Sequence, residues 1–361
     1  MSSVDNHFLH CRIASIIVLL FALSPTLAAE DRKPKKPAGP DLNRLITDND
    51  RVLFIGDEIT QQMFYTRAVA TALMTIKPEA RIQFFNGGKD GASATSTLTW
   101  VNDLVRVSRP TVVFVCLGLN DGLPPRKRAT EKDEKTLKKK PLSVDEIATR
   151  FRADMGKLID TIRAHVSVRE VIVLSCPAVQ SNPGDPPQGA GENNRLWRLS
   201  QVAHKVAIAK GVNYVDLFEH THRLYMEAAR LGGESLTIGM RFPNETAHVV
   251  IASNVLYGIG VSADHLQAAG WSPLTPRRMT RIRGALVLKL KASDVNTAAR
   301  SREIYEGIRR CDELFFKAWR ISGNRPSAPP RQVMMTKVAG EWGKLHARVI
   351  EYYGSKGAAR K

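Results

Sequence analysis

The chain has 361 residues, enough for one large α/β domain with an extension and a full buried core. Apolar residues make up 43% and charged residues 24%, which excludes an intrinsically disordered chain. The formal net charge of +18 is concentrated: residues 123–141 hold eight Lys/Arg against three Asp/Glu, residues 277–361 hold twenty against seven, and the remainder is neutral.

The N-terminus reads as a secretory signal over residues 1–28. Arg12 precedes the apolar run 13–23 (IASIIVLLFAL), Ser24-Pro25 breaks it, and small residues near Ala28 offer a cleavage site. The run is too short to span a bilayer, so an exported protein, periplasmic or extracellular, is expected. Residues 29–44 open on AEDRKPKKPAGPD and read as a flexible linker. Apolar strands are then predicted over 52–56, 82–86, 111–118, 171–176 and 212–216. Helices alternate with them over 60–76, 94–107, 143–165, 193–210, 217–231 and 245–258. Runs such as TVVFVCLG are apolar throughout, which requires burial on both faces and therefore a parallel sheet between helix layers. The fold expected is a three-layer, doubly wound α/β/α domain of about five parallel strands over 45–260. The segment 261–361 reads as a basic helical extension, with helices over 275–320 and 332–353 broken at NRPSAPP (324–330).

In such a fold the ligand crevice lies at the carboxyl ends of the strands. Asp57 and Glu58 follow the first strand there, residues 86–91 the second, and Asn120 and Asp121 the third. The stretches FIGDEITQQMFYTR (54–67), NGGKDG (86–91), CLGLNDG (116–122) and LTIGMRFPNETAH (236–248) resemble, in order and spacing, the four blocks of the SGNH/GDSL hydrolases. The extension resembles that of exported SGNH proteins of some environmental bacteria. The resemblance implies an ester hydrolase acting through a Ser-Asp-His triad, with oxyanion donors at Gly91 and Asn120 and turn support from Asp57 and Asp121. At the matching positions this sequence has Glu58 for the serine, Ile238 for the aspartate and Arg241 for the histidine. Glu58 is no hydroxyl nucleophile, and Arg241 stays protonated and cannot act as a base. The expectation is a catalytically silent family member with its crevice kept for a carbohydrate or acyl-bearing ligand, and with Glu58 and Arg241 clasped as an ion pair. The alternative is an active carbohydrate O-acetylesterase working through a rearranged site.

Other chemistries fit less well. Asp57, Glu58, Asn120 and Asp121 have the ligand chemistry of Mg²⁺ or Ca²⁺, but an arginine pointing in opposes a cation, so neither metal nor cofactor is expected. His265 follows the matched helix, and His248 reads as local packing. Residues 86–91 lack the Lys-Ser/Thr ending of a phosphate loop. Cys116 and Cys176 read as small buried hydrophobes, with no zinc spacing around them. No nucleic-acid module appears. The basic regions point to an acidic or acylated polysaccharide, or another anionic surface, as partner. Phe315, Phe316 and Trp319 read as packing between extension and domain.

Overall fold

The structure, a computed structural model, describes residues 40–123, 142–180, 191–230, 235–239, 241–269, 295–320 and 329–354. The signal segment, most of the linker, nearly all of the basic loop 123–141 and the start of the predicted 275–320 helix lie outside the described residues.

Helix α1 (Leu42–Leu45) leads into β1 (Arg51–Gly56), followed by α2 (Glu58–Gln61), α3 (Phe64–Ile76) and β2 (Gln83–Gly88). Then come α4 (Ala94–Thr97), α5 (Val101–Ser108), β3 (Val112–Cys116), α6 (Leu119–Gly122), α7 (Val144–Arg163) and β4 (Glu170–Leu174). After these lie α8 (Glu192–Lys210), β5 (Asn213–Val215), α9 (Phe218–Arg230), β6 (Thr237–Ile238), β7 (Phe242–Pro243), α10 (Glu245–Gly258) and α11 (Ala263–Ala268). Helices α12 (Val295–Arg320) and α13 (Pro329–Val349) close the described chain, with a π turn over Ile350–Gly354.

The five long strands form one parallel sheet in the order β2-β1-β3-β4-β5. Strand order reverses at β1, so the connections leaving β1 and β3 run to opposite sides and open a crevice at their carboxyl ends. Every residue of β3 is buried, as its unbroken apolar run requires. The Phe54 ring stacks on Phe114 at 4.9 Å, joining β1 to β3 through aromatic contact as well as the ladder. Helix ends follow their sequence signals. Ser143 and Glu146 form a reciprocal capping box on α7, and Asn244 caps α10 through the Ala247 amide.

The C-terminal helices pack on the sheet's β2 edge, within the compact unit that runs from Pro40 onward. Phe315 of α12 meets Phe85 edge-on at 5.0 Å, and Trp342 of α13 lies 6.1 Å from Phe84. His346 Nε2 donates to the Ile82 carbonyl at 2.8 Å. Phe315 and Trp342 are fully buried, and Trp319 is partly buried against Trp100, so these aromatics pack the extension onto the sheet. Asp312 of α12 accepts from Arg67 Nε of α3 at 3.0 Å, a buried pair. Among the described residues, no helix is long and apolar enough to cross a membrane.

Candidate active-site crevice

The crevice starts at the end of β1. A Cβ on Gly56 would stand 2.0 Å from Thr60 Oγ1 and 2.7 Å from the Cys116 carbonyl, so only glycine lets the chain turn there. Asp57 follows as the N-cap of α2, and its carboxylate accepts the Ile59 amide at 3.0 Å. Asp57 is buried, which pushes its pKa well up, and the neighbouring Glu58 carboxylate adds to the shift. Glu58 is the first residue of α2 and half-buried. Its Oε2 accepts two hydrogen bonds, from the Gly91 backbone N–H at 3.2 Å and from Asn120 Nδ2 at 2.7 Å. Asn120 Nδ2 also donates to the Ala92 carbonyl at 3.1 Å, which fixes the carboxamide independently of Glu58.

Asp121 accepts the Ala94 amide with both oxygens, at 3.0 and 3.1 Å, and so ties the end of β3 to the loop after β2. Burial pushes its pKa up to about 7, against the lowering effect of that amide. A cavity of about 110 Å³ opens beside Asn120 and Asp121, walled by Ser93, Thr95, Ile147 and Phe151. The Ser93 hydroxyl accepts from the Ser96 amide and caps α4.

The predicted clasp between Glu58 and Arg241 is not what the fold builds. Arg241 grips Glu192, the first residue of α8, with Nε at 3.1 and 3.4 Å from the two carboxylate oxygens and Nη2 also on Oε1. The reason is directional: Glu58 faces the loops after β2 and β3, where two neutral donors meet it. Arg241 lies in the turn between β6 and β7, and its side chain meets the first residue of α8 instead. Ile238, on β6, is 65% exposed and turned to solvent.

Both histidines weighed from the sequence bond to partners other than Glu58. His248 is buried, its Nε2 donates to Gln62 Oε1 at 2.7 Å, and its ring stacks on Tyr65. Burial pushes its pKa down to about 3, so it stays neutral. His265 Nδ1 accepts the Ser262 amide in the capping box of α11. The block LTIGMRFPNETAH (236–248) contains no aspartate, and its histidine is the buried His248. The carboxylates of Asp57, Glu58 and Asp121 are each turned onto N–H donors. Among the described residues, no group of three or more His, Cys, Asp or Glu is placed to hold a metal ion.

Two convergent donors on one oxygen, at the carboxyl ends of β2 and β3, form the arrangement that stabilises an oxyanion in acyl transfer. The model of the GDSL-like lipase/acylhydrolase family matches residues 54–236, just over half of the chain. The chain belongs to that family. The match ends at residue 236, before β6, β7 and Arg241. A gut microbial diltiazem-metabolizing enzyme, BT4096, superposes on this GDSL-like chain with a TM-score of 0.61 at 12% identity, covering 86% of this chain and 96% of the other. Axe2, an acetylxylan esterase from Geobacillus stearothermophilus, gives a TM-score of 0.47 at 19% identity, over 60% and 97% of the two chains. LAE5, an α/β hydrolase from the metagenome of Lake Arreo in Spain, gives 0.47 at 18% identity, over 60% and 98%. No curated protein sequence matches.

The structure thus brings Glu58, Gly91 and Asn120 together, sets Asp57 and Asp121 behind them, and leaves Ile238 outside. Glu192 went unnoticed in the sequence. Glu192 carried only a weak signal, an acidic residue in the first turn of a helix, a common position that names no partner.

Proposed function

We propose that this GDSL-like chain is silent in acyl transfer and keeps its crevice as a binding site. The reading is carried by Glu58 Oε2, which lies where the Gly91 amide and Asn120 carboxamide would receive a reacting oxyanion. A substrate carbonyl at that point would meet a carboxylate instead of a vacant donor pair, and Glu58, at the nucleophile position, has no hydroxyl to attack it. Loss of a whole serine triad costs roughly 10⁶ in turnover, while donors and binding alone retain about 10³–10⁴ over water. Here the donors are also filled. The family chemistry points to an acyl-bearing ligand, and the basic charge to an acidic polysaccharide carrying it.

Purified protein assayed with p-nitrophenyl acetate and acetylated xylan should give no turnover above buffer, and a fluorophosphonate should leave its serines unlabelled. Clear wild-type turnover that disappears in Asn120→Ala would replace this reading with an ester hydrolase using a rearranged site.

A further inference from the structure

The loop that presents the Gly91 amide has little packing of its own. Lys89, Asp90 and Gly91 are exposed, Gly91 has φ +71°, and nothing lies within 4 Å of where its Cβ would be. One internal bond closes the loop, from the Ala92 amide to the Lys89 carbonyl at 3.0 Å, and the rest of its geometry is set by its neighbours. On one side the Lys89 amide donates to the Gly56 carbonyl at 3.0 Å. On the other, the Asp90 amide donates to Gln61 Oε1 at 2.6 Å. That same oxygen accepts Arg320 Nη2, from the last residue of α12, at 2.8 Å. The Arg320 guanidinium is in turn laid over the Phe316 ring, 4.0 Å from its centroid, which limits its freedom before any bond is made. A second contact runs alongside: the Lys89 ammonium sits 5.6 Å from the Trp100 ring centroid, and Trp100 packs on Trp319 of α12 at 5.5 Å.

We propose that Arg320 is a positioning residue for the anion site: through Gln61 it fixes Asp90, and so aims the adjacent Gly91 amide into the crevice. The C-terminal helices then serve the site as well as the sheet edge. This rests on reading Gly91 and Asn120 as the crevice's receptor. A hydrogen bond to a charged donor is roughly twice as strong as a neutral one, so Arg320 anchors the oxygen that the Asp90 amide needs. Without it, Gln61 is a half-exposed side chain with one neutral partner in that bond pair.

The test is residue-resolved amide hydrogen exchange on the ¹⁵N-labelled full chain, with thermal melts alongside. Arg320→Met should speed exchange at Asp90 and Gly91 about tenfold, the loss expected of one charge-assisted bond, and should shift the Gly91 cross-peak. Exchange in β2 and Tm should stay near wild type, and Arg320→Lys, which keeps a charged donor, should recover most of the protection. Gln61→Met should reproduce the Arg320→Met pattern. Unchanged exchange at Asp90 and Gly91 would overturn the proposal, as would acceleration shared equally with β2 or no recovery in the lysine variant. Esterase turnover in the wild type would remove the silent reading and leave this clamp standing, so the two failures are separable.

Discussion

Glu58 differs from a serine in reach as well as charge. Its longer side chain carries an oxygen from the first turn of α2 across to the Gly91 and Asn120 donors. The carboxylate is accommodated because those donors exist; a buried anion without them would carry a desolvation cost of several kcal/mol. Asp121 shows the opposite balance. Its carboxyl is held at about 7 in the fold against an ordinary 3.8, so the folded state binds a proton that the unfolded chain releases near pH 4. This group's contribution to stability is full below about pH 4, falls as pH rises through the interval, and levels off above about 7. At about 1.4 kcal/mol per unit the total is of order 4 kcal/mol at most. Thermal melts at pH 5 and pH 8 should show a higher Tm at pH 5, and Asp121→Asn should narrow that difference. An unchanged difference would mean that Asp121 titrates like a free carboxyl.

At the scale of elements, α12 and α13 solve a problem that the strand order creates. Strand β2 sits at the edge of the sheet and carries Phe84 and Phe85, and a bare apolar edge strand invites pairing with other chains. Phe315 and Trp342 cover those rings, and the two helices lie close enough that a Cβ on Gly307 would stand 2.5 Å from Leu345 Cδ1. Trp342→Ala should cost about 3–5 kcal/mol in denaturant unfolding, the range for removing a large buried aromatic. A loss under about 1 kcal/mol would show that α13 is only loosely applied to the sheet. The helices themselves were legible from periodicity and from the break at 324–330. Their docking site was not, because an apolar stripe records that a face is buried but not against what. The short β6–β7 pair was also missed: two residues per strand are too few to show an alternating pattern.

At the scale of the molecule, the charge of +18 resides in two segments on an otherwise neutral chain. We infer an anionic partner of polysaccharide type from that distribution. Retention on heparin or pectin should fall steeply between low and physiological salt, as exposed charges are screened beyond about 8–10 Å; salt-insensitive retention would count against a charge-led contact. Family and architecture could be read from the sequence because both are local properties. Five apolar runs alternate with helical patterns, the glycines sit where the chain must turn, and Asp57, Gly91 and Asn120 lie at strand ends. What a charged side chain pairs with is not local. Glu58 and Arg241 look like natural partners when only charge is compared, yet each is satisfied elsewhere, by Gly91 and Asn120 in one case and by Glu192 in the other. Those pairings span 33, 62 and 49 residues, and so depend on which loops the sheet brings side by side and which way each backbone turns. Only the tertiary structure decides that, because hydrogen bonds are directional and short-ranged whereas sequence records identity and order alone.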